Sequence, residues 1–207
     1  QSFWHSRWTI VVTTSVILAY SMDNRSNDFS RSPWQTLSRQ VVFDQSPWLL
    51  VEYHHVILPD GRQIPDWTWI KTPDYINVVV LTEQGQYLCF RQRKYGVPEP
   101  MLALVGGYIE PGEAPLAAAQ RELREETGYI SVDWVELGQY LVDPNRGVAT
   151  GNLFLARNAH QVCAIDSDDL EEQEVVMLSH QELEQALAQG DFKILAWAAA
   201  VAFALRV

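Results

Sequence analysis

Three glutamates, Glu122, Glu125 and Glu126, stand at i, i+3 and i+4. On an α-helix this spacing puts all three on one face. Like charges so placed repel by roughly 0.2–0.5 kcal/mol per pair, so a solvated helix gains nothing from them. A hard divalent cation removes the repulsion, and carboxylate oxygens are ligands that Mg²⁺ or Mn²⁺ accepts. Three glutamates alone describe an ordinary solvated face equally well; their neighbours narrow the reading. Gly106-Gly107 comes before them, then Glu113, and Arg121 adjoins Glu122. The glycines permit a tight backbone that turns a carbonyl toward a cation. Glu113 and Arg121 can pair and pin the loop to the helix.

The elements around this constellation are legible. Pro115 suits the first turn of a helix, an alanine-rich body follows, and Gly128 is a C-terminal stop. Upstream, Tyr75–Leu81 is a nearly continuous apolar run, the pattern of a buried strand, and Glu83-Gln84-Gly85 turns it into Tyr87–Arg91. A basic loop runs from Arg91 to Pro100. Met101–Val105 is expected as one short strand, ended by Gly106-Gly107. Downstream, Val132–Leu141 and Asn152–Ala156 read as strands. Ser179 with Glu182 forms a capping box that opens a helix to about Ala188, and Ile194–Leu205 is a last apolar helix, too short to span a membrane. Strands and helices mix without strict alternation. The fold class is therefore α/β (α+β mixed), a mixed sheet with helices on its faces. Ahead of it, Gln40–Phe43, Leu49–Ile57 and Gln63–Ile70, with the turn Pro59-Asp60-Gly61, predict a small antiparallel β-unit. Three segments follow: a poorly ordered tail or upstream segment over 1–33, the β-unit over 34–71, and the main domain over 72–207.

Composition sets limits. The chain has 207 residues, 47% of them hydrophobic, and a net charge of −11. So negative a surface repels nucleic-acid backbones, so no nucleic-acid partner is expected. Cys89 and Cys163 belong to no metal or disulfide pattern, which points to a reduced, cytoplasmic setting. Trp8–Tyr20 is too diluted by threonine and serine for a good export signal; upstream sequence ahead of Met22 is the simpler reading. No membrane partner is expected.

The whole segment, Gly107-x5-Glu113-x7-Arg121-Glu122-Leu123-x-Glu125-Glu126-x-Gly128-Tyr129, resembles the box of the Nudix hydrolase family at every fixed position. The resemblance implies the Nudix fold, an α/β/α sandwich around a mixed sheet. It also implies hydrolysis of a diphosphate bond in a small nucleotide substrate. It assigns Mg²⁺, or Mn²⁺ in its place, to Glu122, Glu125, Glu126 and the Gly106 carbonyl, and gives Gly107, Glu113 and Arg121 a supporting part.

A second likeness, from Trp34 to Leu205, is to the ADP-ribose or ADP-sugar pyrophosphatases of that family. Its marks are Pro144, 15 residues after Tyr129; the β-unit; Arg91, Arg93 and Lys94; and the acidic stretch Asp168–Glu174 before Val175-Val176. In that subgroup an acidic loop supplies the base, for which Glu171 is the first candidate and Glu172 the second. Other nucleotide-sugar or dinucleotide hydrolases, acting on GDP-mannose or NADH, and a silent nucleotide sensor are the alternatives. The intact glutamates argue against silence. The chain departs from the subgroup at Ala103-Leu104-Val105-Gly106-Gly107, where a glutamate and a proline are usual, and at Asn145-Arg146-Gly147, where an acidic residue is usual.

Trp48, Trp67 and Trp69 could stack on a purine base, and equally could be buried or interfacial. Arg91, Arg93 and Lys94 could clamp the diphosphate or form a surface cluster. His54 and His55 point to opposite faces of a strand and cannot easily share an ion. Four of the eight tryptophans, Trp34, Trp48, Trp67 and Trp69, crowd the β-unit. So short a unit cannot bury them alone, which predicts a homodimer.

Overall fold

A computed structural model of the protein describes residues 34–165 and 173–207. The tail over 1–33 and the candidate base Glu171, with Glu172, lie outside the described residues. The β-unit is a three-stranded antiparallel sheet of β1 (Gln35–Gln45), β2 (Leu49–Ile57) and β3 (Gln63–Lys71), in that spatial order. Every residue of β1 is exposed, and its outer edge carries no strand among the described residues. His54 is buried and His55 lies on the other face, where its ring meets the Gln63 side chain at 2.8 Å.

The main sheet is mixed. β4 (Tyr75–Thr82) lies at its centre, antiparallel to β5 (Tyr87–Gln92) and parallel to β10 (Thr150–Gln161). β9 (Asp133–Leu141) and the two-residue β8 (Tyr129–Ile130) pair with β10, and β11 (Gln173–Leu178) closes the other side on β5. β10 runs well past the expected Ala156, through a bulge at Asn158, where φ is 53°.

One expectation needs correction. Met101–Val105 is not a single strand ended by the glycines. It splits at Leu104 into β6 (Met101–Ala103), paired with β5, and β7 (Val105–Tyr108), paired with β4. The paired residues of β4 and β5 are only Val80–Leu88 and Leu81–Tyr87. Beyond these the two strands take separate partners, and β6 and β7 fill the gap between them. Gly106 and Gly107 therefore sit inside a strand.

Helices cover both faces, as the burial of every residue from Ile76 to Val80 requires. α1 (Pro115–Thr127) packs on β4, β7 and β10; α3 (Leu195–Ala204) packs on β4, β9 and β10; α2 (His180–Gln189) lies against β11 and α3. α1 buries Ala118, Ala119, Leu123 and Thr127. A side chain such as Leu123, fully buried, contributes about 1.5–3 kcal/mol. Gly128 ends the helix in the left-handed region at φ 73°, its N–H donating to the Arg124 carbonyl at 2.8 Å. α2 opens with the expected capping box, Ser179 and Glu182 bonding reciprocally. No helix among the described residues is long and apolar enough to cross a membrane.

Candidate active site

Arg121 organises the box. Its guanidinium grips Glu113 with two parallel bonds, Nε to Oε1 and Nη2 to Oε2, both 3.0 Å. Nη1 reaches Glu122 Oε1 at 2.7 Å and Glu125 Oε2 at 3.3 Å, and Nη2 also donates to the Tyr108 carbonyl at 3.1 Å. One side chain thus ties the loop, β7 and two of the three α1 glutamates together. The Glu113 carboxyl also accepts from the Glu110 N–H at 3.0 Å. The Arg121 guanidinium beside it holds this carboxyl below the usual range, and Glu113 in turn raises the guanidinium. Each partner thus favours the charged form of the other. Charge-assisted, bidentate pairs are the stronger kind of hydrogen bond, so the loop enters the site already fixed.

Glu122 and Glu126 meet β7 directly. Glu126 Oε2 accepts from the Gly106 N–H at 3.2 Å. The Glu122 carboxylate packs onto Gly107: a Cβ there would lie 2.0 Å from Glu122 Oε1. Neither glycine has a positive φ. The expected tight turn is therefore not why they are glycines. They are glycines because α1 approaches on one side of the strand and Asn77 fills the other, with its Nδ2 2.4 Å from where a Cβ of residue 106 would stand.

The donor set fits a hard divalent cation. The three α1 carboxylates offer only oxygens, and the space at Gly107 is filled by the Glu122 carboxylate rather than by a side chain of its own. Among the described residues no three acidic or imidazole groups form a ready-made cage; Glu122 and Glu125 turn toward Arg121 instead. Glu122 is mostly buried, its side chain 14% exposed, and Glu125 is about half exposed at 53%.

The remaining candidates fall into separate groups. Trp48, 59% exposed, meets Tyr108 edge-to-face at 5.5 Å, which brings the β1–β2 turn to the box loop. Sequence reasoning passed over Tyr108, which occupies a variable position of the box and is 53% exposed. Trp67 and Trp69 gather instead around Pro144. Trp67 Nε1 donates to the Asn145 carbonyl at 2.9 Å, and the Arg146 guanidinium lies 5.4 Å from the Trp67 ring centroid. Trp69 lies so close to Gly147 that a Cβ there would be 2.1 Å from its ring, and with Pro144 it lines a cavity of about 380 Å³. Trp69 also stacks on His54, whose Nε2 lies 3.1 Å from Glu52 Oε2. Arg91 and Arg93 line a cleft with Pro100, Gln173 and Glu174 beside β11, and Lys94 follows on the same loop.

Residues 71–198 match the family model of the NUDIX domain, and residues 34–70 match that of the nucleoside diphosphate sugar hydrolase N-terminal domain. The ADP-ribose pyrophosphatase of Bacillus subtilis (strain 168) is 27% identical over 154 residues, 74% of this chain and 80% of that protein. The methanol dehydrogenase activator of Bacillus methanolicus is 26% identical over 132 residues, 64% of this chain and 70% of that one. The crystal structure of an ADP compounds hydrolase superposes with a TM-score of 0.71 at 19% identity, covering 84% of this chain and 94% of the other. That last likeness is one of fold.

Proposed function

This chain belongs to the Nudix hydrolase family, and from that premise we propose that it uses Mg²⁺ to hydrolyse the diphosphate bond of ADP-ribose or an ADP-sugar, giving AMP and a sugar phosphate. The observation that carries the reading is the Arg121 node, which fixes Glu113, Glu122, Glu125 and the Tyr108 carbonyl in one rigid junction. These bonds join the box loop, β7 and α1, which is the scaffold a catalytic face needs before substrate arrives. The pyrophosphatase relative and the N-terminal domain match support the nucleotide-sugar side of the reading.

Glu122, Glu125, Glu126 and the Gly106 carbonyl would hold the cation, with Mn²⁺ as a substitute. When bound, it supplies Lewis acidity that offsets the charge of the diphosphate. Glu113 and Arg121 keep the ligand face in register. Glu171 takes the proton of the attacking water. Arg91, Arg93 and Lys94 lie against the diphosphate, while Trp48, Trp67, Trp69 and Pro144 border the base and sugar. The test is incubation with a panel of nucleotide sugars and Mg²⁺, products identified by mass. AMP and ribose 5-phosphate from ADP-ribose are expected. GMP from GDP-mannose at a higher kcat/KM would overturn the substrate, and no turnover on any member would overturn the reaction.

The active form in this proposal is a homodimer built through the β-unit. β1 supports it, since Val41, Val42 and Phe43 are all exposed along a strand whose outer edge has no partner strand among the described residues. Exposed apolar strand edges are seldom left bare.

A further inference from the structure

β4 is apolar from Ile76 to Val80 except at Asn77. Asn77 is only 5% exposed, and its Oδ1 is a buried acceptor with no hydrogen-bond partner among the described residues. Another buried amide, Asn152, behaves in the ordinary way: its Nδ2 donates to the Tyr75 carbonyl at 3.2 Å and its Oδ1 accepts from Gln139 at 3.0 Å. Buried polar groups are nearly always paired, and an exception calls for a reason. Filling space is not that reason. A leucine branches at the same atom with the same number of heavy atoms, though it is bulkier; it belongs in such a strand and would remove the orphan acceptor.

The place of Asn77 supplies a reason. It stands opposite Gly106 in the β4–β7 ladder. Opposed residues share a face of the sheet, and the amide fills the space where a side chain of residue 106 would be. The Gly106 N–H meanwhile donates to Glu126 at 3.2 Å. In an antiparallel strand a residue's N–H and C=O leave by the same edge, so the Gly106 carbonyl leaves on the Glu126 side. Gly106 is therefore held from two directions: by a carboxylate at its edge and by a flat amide on its face. The branched end of a leucine cannot lie flat against a glycine in the same way.

We infer that Asn77 is a positioning residue, whose amide braces the Gly106 peptide so that the Gly106 carbonyl and the Glu126 carboxylate meet one divalent cation. The inference rests on the reading of those two groups as ligands given above. Asn77 touches neither substrate nor cation. Its removal misplaces a ligand without deleting one, so excess cation restores what is lost.

The experiment measures Mn²⁺ binding by electron paramagnetic resonance, without substrate, in the full chain and in Asn77→Leu, Asn77→Ala and Glu126→Gln. Thermal melting of each protein runs alongside. Asn77→Leu should keep a melting temperature near that of the parent yet bind Mn²⁺ at least tenfold more weakly; Asn77→Ala serves if leucine prevents folding. The turnover lost should return as Mg²⁺ is raised, and in Glu126→Gln it should not. Parental Mn²⁺ affinity in either folded Asn77 variant, with Glu126→Gln impaired, would overturn the role of Asn77 and leave the cation site standing. Parental affinity in Glu126→Gln would overturn the cation site itself.

Discussion

Arg121 spends its donors on three carboxylates and one carbonyl, so the three α1 glutamates are not equivalent. Glu122 and Glu125 share Arg121, whereas Glu126 reaches the Gly106 N–H. Glu126→Gln keeps the shape and can keep that contact, but removes a charge from the ligand face. Its kcat at saturating Mg²⁺ should fall at least about a hundredfold, the usual scale for losing one preorganised electrostatic group, with circular dichroism unchanged. Turnover within a few-fold of the parent would refute the assignment. Gly107→Ala tests the cradle from the other side. Its methyl would press on Glu122 Oε1 and displace a carboxylate without altering any charge. A rise in the Mg²⁺ concentration needed for half-maximal rate is expected. The spacing of these residues was legible in the sequence because it is local to one loop and one helix. The reason for the glycines was not, because it lies in Glu122 and Asn77 meeting them from opposite sides. Asn77 itself was hidden as one polar letter in an apolar run.

At the scale of elements, the boundaries that were read correctly are those with chemical punctuation: Pro115 and Gly128 around α1, and Ser179 at the start of α2. The break at Leu104 has none. Met101–Val105 is a continuous apolar run, and its division depends on where β4 and β5 part, which no local pattern records. The end of α1 gives a stability test. Gly128 has φ 73°, and a Cβ there would lie 2.2 Å from the Cys163 carbonyl oxygen. A left-handed non-glycine residue costs about 1–2 kcal/mol before any clash, so Gly128→Ala should lower the melting temperature by several degrees or more. The second element-level test concerns β2 and β3. Glu52 is buried, and the His54 side chain, with Lys71 and against the opposing effect of burial, lowers its carboxyl below the ordinary 4.5. A carboxylate lowered by folding stabilises above its unfolded value, and that contribution is lost as pH falls through the folded one. Melting temperature should therefore drop more steeply with acid, below about pH 4.5, in the parent than in Glu52→Gln. Parallel acid profiles would show that the Glu52–His54–Lys71 contacts carry no weight.

At the scale of the molecule, the α/β/α architecture could be read from the mixture of element types, but the attachment of the β-unit could not. Aromatic crowding in a short segment pointed outward, toward a partner chain. The structure supplies an inward answer for part of it: Trp67 and Trp69 pack on the loop around Pro144, and Trp48 on Tyr108. Within the described β-unit, β1 stays open to solvent, with Trp34 and Trp48 still half-exposed. Light scattering should return twice the chain mass, and replacing Val41 and Phe43 with lysine should halve it. A parent protein that is monomeric and fully active would end the dimer proposal.

The backbone of β3 carries one more consequence. Ile70 and Thr72 donate their N–H groups to the carbonyls of Arg146 and Val148, at 2.8 and 2.9 Å. The end of the β-unit and the loop beyond Pro144 are thus stitched by main chain, and the Thr72 hydroxyl adds a bond to the same Val148 carbonyl at 2.6 Å. Such stitching makes a foldon of the two: they open together or not at all. The amide protons of Ile70 and Thr72 should then exchange with deuterium with one shared protection factor, and a nucleotide that settles against the loop should slow both, although it touches neither.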